Sequence, residues 1–187
     1  DIQSISMPPT IRTFIALELP PSVISLLEKV QEDLKSMGLR AKWVRPENIH
    51  LTLKFLGNIN PADIDNIGGA MVDAVGEIET FNLVAGGIGV FPGINRPRVI
   101  WVGLKGQVQL LCAMQRLLED NLAALGYKKE KRPFKGHLTL GRFKQRVNPN
   151  TIRRVLQKFG NLSIEEFTAR RVIFYKSDLK PTGAVYS

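Results

Sequence analysis

A nine-residue pattern, Arg-Pro-x-x-x-His-Leu-Thr-Leu, occurs twice in this chain of 187 residues. The copies span residues 45–53 and 132–140, and they contain the only two histidines of the sequence, His50 and His137. A strand–helix pattern precedes each copy. The repeat therefore predicts two related lobes that each contribute one histidine to a shared site.

The spacing within each copy determines which side chains lie together. Successive side chains of a strand point to opposite faces, so His50 shares a face with Thr52, and His137 shares a face with Thr139. The intervening leucines then pack on the other face. If an approximate two-fold axis relates the lobes, two imidazoles and two hydroxyls surround one central point.

A tetrahedral phosphate suits such a point. Histidine is the side chain whose ordinary pKa allows it to accept or donate a proton near neutral pH. Threonine hydroxyls donate hydrogen bonds to phosphate oxygens, and this chemistry requires no metal. Arg142 lies two residues after Leu140, so in a regular strand its side chain points to the same face as the packed leucines. It reaches the phosphate only if the strand bulges or bends near Gly141.

The hydrophobic pattern and the turn residues predict an interleaved order of strands and helices. Extended segments are expected over residues 11–19, 41–44, 48–56, 80–91, 98–104, 134–143 and 163–175, and helices over residues 23–37, 60–75, 107–125 and 148–159. Several strands are hairpin-like neighbours, which favours an α+β fold with mostly antiparallel sheet. We expect one two-lobed domain over residues 7–187, with residues 1–6 a leader outside the fold and Met7 the native start.

Charge favours a polyanionic partner. The chain has 26 Lys and Arg against 17 Asp and Glu, a net charge of +9, and many of the cations flank the second motif. A basic surface that serves solubility is the alternative. The single cysteine, Cys112, forms no internal disulfide, and no apolar run is long enough for a membrane helix. We expect a cytoplasmic monomer.

The residues that carry these motifs resemble a known family. WVRPENIHLTLKFLG at residues 43–57, the run at 137–142 and the strand at 12–17 are similar to the 2H phosphoesterase superfamily, and within it to RNA 2′,3′-cyclic phosphodiesterases, also called 2′-5′ RNA ligases. The resemblance implies a bilobal α+β fold whose antiparallel sheets line a central cleft, with helices outside. It also implies metal-independent hydrolysis of RNA 2′,3′-cyclic phosphate ends to 2′-phosphates, and 2′-5′ ligation as the reverse direction.

The resemblance also implies roles for individual residues. His50 would donate the proton to the leaving O3′, His137 would accept a proton from water, Thr52 and Thr139 would hold the phosphate, and Arg142 would assist. No cofactor is expected, and the partner would be a tRNA-like fragment or an oligonucleotide. Phe14, Phe55 and Arg12 are the further residues expected to bind substrate, the rings by stacking a base. Core packing is the alternative for both rings.

Other interpretations of the same residues stay open at this point. The groove could belong to a non-catalytic nucleotide- or RNA-binding module, or to a phosphodiesterase for a small cyclic nucleotide. A metal site is disfavoured because no cysteine or carboxylate lies at ligand spacing beside either histidine. The glycines of residues 86–89 resemble a phosphate-binding loop only loosely, and an interrupted or bulged strand is the preferred interpretation.

Overall fold

The computed structural model describes residues 9–187. The predicted leader and Met7 lie outside the described residues. The strands are β1 (Ile11–Leu17), β2 (Lys42–Trp43), β3 (Leu51–Ile59), β4 (Phe81–Phe91), β5 (Val99–Gly106), β6 (Leu138–Arg142), β7 (Ser163–Ala169), β8 (Val172–Lys180) and β9 (Gly183–Tyr186). The α-helices are α1 (Pro21–Ser36), α2 (Ile64–Gly76), α3 (Val108–Ala124) and α4 (Pro149–Phe159), and two 3-10 turns lie at Pro46–Asn48 and Pro61–Asp63.

The strands form two sheets. The first has the order β3-β1-β8-β9 and the second the order β2-β6-β5-β4-β7. Every strand pair within the described residues is antiparallel. The α+β architecture predicted from the sequence is therefore confirmed.

The two halves of the chain exchange strands between the sheets. The C-terminal strands β8 and β9 complete the sheet that contains the first motif strand, β3, while β2 from the first half pairs with the second motif strand, β6. Each lobe thus contains parts of both sequence repeats. The buried apolar residues of both lobes belong to one hydrophobic cluster.

The C-terminal strand prediction was wrong in one respect. Residues 163–175 were expected to form one strand, but β7 lies at the edge of the second sheet and β8 lies inside the first. The exposed pair Arg170 and Arg171 separates the two strands. The chain crosses from one sheet to the other at this pair.

Both motif strands begin later than predicted. Residues 46–48 form the 3-10 turn, so β3 starts at Leu51, and β6 starts at Leu138. Each histidine therefore lies at the residue immediately before its strand. The four motif leucines, Leu51, Leu53, Leu138 and Leu140, are at most 4% exposed, and their burial holds each histidine at the entrance of a rigid strand.

Helices α1 and α3 pack by one apolar face each. In α1 the buried aliphatic residues follow helical spacing at Val23, Leu27, Val30 and Leu34, and in α3 they do so at Leu111, Met114, Leu118 and Leu122. Helix α1 contacts β7 of the second sheet, and α3 contacts β3 of the first. Among the described residues no helix is both long and apolar enough to cross a bilayer.

Candidate active site

A cleft of about 730 Å³ lies between the two sheets, and both motifs line it. The first sheet contributes residues of β3, and the second contributes residues of β4, β5 and β6. A basic loop before His137 closes one side. The residues that line the cleft are His50, Thr52, Leu53, Lys54, Phe55, Phe91, Pro92, Val99, Gln115, Glu119, Glu130, Arg132, Pro133, Phe134, Lys135, His137, Thr139 and Arg142.

The two imidazoles are oriented by the same contact. His50 Nδ1 lies 2.9 Å from the Asn48 carbonyl oxygen, and His137 Nδ1 lies 2.7 Å from the Lys135 carbonyl oxygen. A carbonyl only accepts, so each Nδ1 carries the donated hydrogen. The contact therefore leaves Nε2 of each ring as the nitrogen that exchanges protons.

A β-bulge occurs at the same position of both motifs. In the pairing of β3 with β1, Thr52 faces Ala16 and Lys54 faces Ile15, so Leu53 is the extra residue. In the pairing of β6 with β5, Thr139 faces Trp101 and Gly141 faces Ile100, so Leu140 is the extra residue. The irregularity near Gly141 that Arg142 requires to face the cleft is therefore present, and the first motif has its counterpart.

The bulges determine which residue follows each threonine into the cleft. A regular strand would direct the third residue after the threonine to the opposite face, but one extra residue reverses this parity. The third residue after Thr52 is Phe55 and the third after Thr139 is Arg142, and both line the cleft. The two halves of the site thus present a phenyl ring and a guanidinium at equivalent positions.

A buried glutamine from the opposite repeat binds each bulge. Gln31 of α1 donates from Nε2 to the Leu140 carbonyl at 2.9 Å and to the Val44 carbonyl at 2.8 Å. Gln115 of α3 donates from Nε2 to the Leu53 carbonyl at 3.3 Å. Both glutamines are at most 8% exposed. Each helix therefore supports the motif strand of the other repeat by bonding to the bulged leucine.

Removing either amide should destabilise the protein without removing volume. We expect Gln31→Met and Gln115→Met to lower the free energy of unfolding by about 1–3 kcal/mol, because a buried carbonyl loses a donor. Urea denaturation measures the loss. Gln109→Met is the matched control, since Gln109 is exposed on α3; equal losses in all three variants would contradict the assigned role.

Aromatic side chains surround His50. The ring centroids of Tyr175 and Tyr186 lie 4.6 Å and 5.4 Å from that of the imidazole, and Phe14 lies at 6.0 Å. Burial lowers the pKa of His50 below its ordinary value of 6.5, and the Asn48 carbonyl and the Glu18 carboxylate oppose this effect. The free imidazole is therefore predominantly neutral at neutral pH.

His137 has aromatic and cationic neighbours. Its ring meets Phe91 edge-on at 5.0 Å and Trp101 at 6.3 Å. Lys135 Nζ lies over the same two rings, 5.3 Å from the Phe91 centroid and 4.9 Å from the Trp101 centroid. Together with Arg142 and Arg132, Lys135 makes this half of the cleft strongly positive.

The structure brings most of the predicted site residues together. His50, Thr52, Phe55, His137, Thr139 and Arg142 all line the cleft. Phe14 is only 5% exposed and packs under His50 and Phe55. Arg12 is exposed on β1 opposite Asn58 and does not line the cleft. Six of the predicted residues therefore line one cleft, while Phe14 packs beneath them and Arg12 lies outside the cleft.

The two motif arginines differ in their surroundings. Arg45 donates from Nη2 to the Thr182 carbonyl at 2.9 Å, which ties the first motif to the turn between β8 and β9. Arg132 lines the cleft instead. The structure gives Arg45 a contact within the protein and Arg132 access to the cleft.

Neither motif predicted the aromatic and basic side chains that lie beside the two histidines, namely Phe91, Lys135, Tyr175 and Tyr186. The tyrosines lie on β8 and β9, far from either motif in sequence, and no pattern connects them to His50.

The glycines of residues 86–89 lie within β4, whose register against β5 shifts between Gly86 and Ile88. These glycines therefore form a bulge in a continuous strand, which is one of the two preferred interpretations.

Metal-ligating side chains do not cluster in the part of the chain that is described. Within residues 9–187, no group of three or more His, Cys, Asp or Glu side chains is arranged to hold an ion. The buried carboxylate nearest the motifs, Glu119, is bound by Lys54 at 2.9 Å. The groups that the cleft itself presents near the motifs include imidazoles, hydroxyls and cations.

Both repeats match one family model. The model described as LigT like Phosphoesterase matches residues 17–101 and 102–186, so each matched segment contains one His-Leu-Thr-Leu motif. A Methanocaldococcus jannaschii protein named RNA 2′,3′-cyclic phosphodiesterase is 33% identical over 175 residues, which cover 94% of this chain and 96% of the relative. A relative of the same name from Methanothermobacter thermautotrophicus is 29% identical over 177 residues, 95% of each chain.

Solved structures share the fold over nearly the whole chain. A protein of Thermus thermophilus superposes with a TM-score of 0.75 at 26% identity, over 95% of this chain and 94% of that one. Escherichia coli LigT in its apo form superposes with a TM-score of 0.71 at 20% identity, with the same coverage. The chain belongs to the LigT-like phosphoesterase family.

Proposed function

We propose that the protein hydrolyses the 2′,3′-cyclic phosphate at the end of an RNA, without a metal, to leave a 2′-phosphate. One observation carries the proposal: two imidazoles with free Nε2 atoms and two threonines line one cleft on equivalent bulged strands. The relatives named RNA 2′,3′-cyclic phosphodiesterase support it. The net charge of +9 favours an RNA over a small nucleotide.

The proposed reaction uses one histidine on each side of the phosphorus. His137 Nε2 accepts a proton from water as the water oxygen bonds to phosphorus. The bond from phosphorus to O3′ breaks, and His50 gives its Nε2 proton to O3′. The products are a 3′-hydroxyl and a 2′-phosphate. His137 then loses a proton and His50 gains one, which returns the site to its starting protonation state. Thr52, Thr139 and Arg142 stabilise the negative phosphoryl oxygens.

The difference between Phe55 and Arg142 supports this assignment of roles. The leaving oxygen belongs to the ribose, so the nucleoside has to lie on the side of the proton donor. Phe55 is 67% exposed at the mouth of the cleft, in the half that holds His50. Arg142 lies in the half that holds His137, where water attacks. A base stacked on Phe55 therefore places O3′ toward His50.

The lowered pKa of His50 adds a requirement. A proton donor has to be protonated when substrate is bound, yet burial favours the neutral ring in the free protein. The anionic phosphate supplies the opposite charge that favours the imidazolium. Substrate binding and protonation of His50 are therefore coupled in this proposal.

Incubation with an oligonucleotide that ends in a 2′,3′-cyclic phosphate tests the function. The expected product carries a 2′-phosphate, and the rate is unchanged by EDTA. Mass spectrometry detects the added water, and a 3′-specific phosphatase distinguishes the two phosphate positions. A 3′-phosphate product, or loss of the activity in chelator, would refute the proposal as stated. Addition of an RNA with a 5′-hydroxyl measures 2′-5′ ligation in the same assay.

Removal of the Phe55 ring should weaken substrate binding rather than chemistry. We expect Phe55→Ala to raise KM for a cyclic nucleotide by about tenfold with kcat little changed, since stacking contributes about 1–3 kcal/mol per base. Steady-state kinetics measure both constants.

Two controls separate stacking from a general loss of surface. Leu179→Ala removes a side chain that is 68% exposed, compared with 67% for Phe55, and Leu179 lies outside the cleft. Ribose 2′,3′-cyclic phosphate lacks a base, so Phe55→Ala should leave its kinetics unchanged. An equal rise in KM for the abasic substrate would exclude the stacking role.

A further inference from the structure

A second cavity lies at the end of β5 and β6, outside the cleft. Its volume is about 330 Å³, near the lower end of the range for small-ligand sites. The turn between β4 and β5 forms one wall and the loop after β6 forms the other. The residues that line it are Asn95, Arg96, Pro97, Arg98, Lys144, Gln145, Arg146 and Val147.

The cavity is strongly and uniformly cationic. Arg96, Arg98, Lys144 and Arg146 supply four positive side chains, and no lining residue is acidic. All four residues are exposed. The ion pairs found within residues 9–187 involve other cations, so no carboxylate of that part of the chain neutralises these four. Four like charges held together without a counter-charge favour an anionic ligand.

The cavity lies next to the cleft, beyond the ends of β5 and β6. Val99 and Arg142 face each other across β5 and β6, and both line the cleft. The next contact along the same two chains joins the Phe143 amide to the Arg98 carbonyl at 2.9 Å. Lys144 follows Arg142 by two residues, which is at most about 7 Å along the chain. An RNA strand that runs from the nucleoside at Phe55 across the cleft and leaves it past Arg142 therefore meets the cavity next.

We propose that this cavity binds a phosphodiester of the RNA upstream of the cyclic end. The inference rests on the proposed function, and it adds a second contact that a mononucleotide cannot make. Guanidinium groups bind phosphate oxygens through paired hydrogen bonds, and the Asn95 and Gln145 amides add neutral donors. The cavity thereby selects RNA ends over free cyclic nucleotides.

The test compares two substrates in two matched variants. The cavity variant combines Arg96→Ala, Lys144→Ala and Arg146→Ala. The control variant combines Lys29→Ala, Arg40→Ala and Arg116→Ala, which removes the same charges from exposed positions outside both cavities. The substrates are a 2′,3′-cyclic mononucleotide and an oligonucleotide with a 2′,3′-cyclic phosphate end.

The expected result is specific to the cavity variant and the oligonucleotide. Its kcat/KM for the oligonucleotide falls about tenfold or more at low salt, and the slope of log kcat/KM against log salt becomes shallower by about 2. The mononucleotide is cleaved as by the parent protein, and the control variant changes little with either substrate. An equal loss of kcat/KM on the mononucleotide would mean that the cavity binds free anions or that the substitutions damage the cleft. An equal loss in the control variant would mean that the net positive charge of the protein attracts RNA without a specific site. Either result would overturn the proposal.

Binding separates this proposal from the proposed function. If the parent protein cleaves neither substrate, the proposed function fails, and fluorescence anisotropy with a 3′-phosphorylated oligonucleotide still examines the cavity. The cavity variant should then bind at least about tenfold more weakly than the control variant. Equal affinities would refute the cavity as an RNA site whether or not the protein is catalytic.

Discussion

His50→Ala and His137→Ala should each reduce kcat/KM for a 2′,3′-cyclic phosphate by about a hundredfold to ten-thousandfold, the usual contribution of a positioned acid or base. The losses arise because each imidazole exchanges one proton with a different oxygen of the same phosphate. Single-turnover assays on the parent and both variants measure the chemical step directly. Full activity in either variant would contradict the mechanism.

A sulfur substrate distinguishes donor from acceptor. When sulfur replaces O3′, the leaving group departs as a thiolate and needs no proton. The activity lost in His50→Ala should therefore largely return with this substrate, while His137→Ala remains impaired because water still has to lose a proton. The reverse pattern of rescue would exchange the two roles.

The pH dependence provides a second assignment. The proton donor has to be protonated, so the limb of kcat/KM that falls with rising pH follows His50 in the free protein, and its lowered pKa moves that limb below pH 6.5. A bell-shaped profile alone does not say which group gives which limb. In His50→Ala the falling limb should disappear and the rising limb should remain. Loss of the rising limb would instead identify His50 as the base.

The core of the site was predictable because strand alternation is a local property. His50 and Thr52 are two residues apart, as are His137 and Thr139, and the leucines between them are buried as the pattern requires. The bulge near Gly141 was also foreseeable from the parity of Arg142. The matching bulge at Leu53 was foreseeable in the same way, because Phe55 was expected to bind substrate and lies two residues after the packed Leu53.

The supporting contacts were not predictable because they are remote in sequence. Gln31 reaches Leu140 across 109 positions, and Gln115 reaches Leu53 across 62. Both glutamines lie on amphipathic helices, where an isolated polar residue gives no indication of its partner. Tyr175 and Tyr186 come beside His50 only through the strand exchange between the sheets. These features depend on tertiary topology, which the local pattern does not encode.

A buried ion pair links the first motif strand to the loop before the second histidine. Lys54 Nζ lies 2.9 Å from Glu119 Oε2 and 2.6 Å from the Lys128 carbonyl oxygen, and the Glu130 amide donates to the same carboxylate oxygen at 3.2 Å. The Lys54 and Glu119 side chains are 7% and 10% exposed. The equivalent of Lys54 in the second motif is Gly141, where a Cβ would lie 3.0 Å from the Trp43 ring. The pair is therefore a feature of one half of the site alone.

Removal of one partner should cost far more than removal of both. We expect Glu119→Ala to lower the free energy of unfolding by about 3–5 kcal/mol, because Lys54 then remains buried without a counter-charge. The double variant Lys54→Met with Glu119→Met should recover most of that loss, since apolar side chains of similar volume avoid the desolvation of two charges. Urea denaturation of the parent, Glu119→Ala, Glu119→Met, Lys54→Met and the double variant measures these losses, and the three methionine variants complete the cycle with the parent.

The adjacent residue supplies the control. Asp120 pairs with Lys129 at the surface, where the two side chains are 50% and 57% exposed. Asp120→Ala should change the free energy of unfolding by no more than about 1 kcal/mol, because solvent screens an exposed pair. A loss in Glu119→Ala no larger than that in Asp120→Ala would mean that water reaches Lys54 in solution. A double variant as unstable as Glu119→Ala would assign the loss to packing, because charge burial predicts that removing the second charge restores stability.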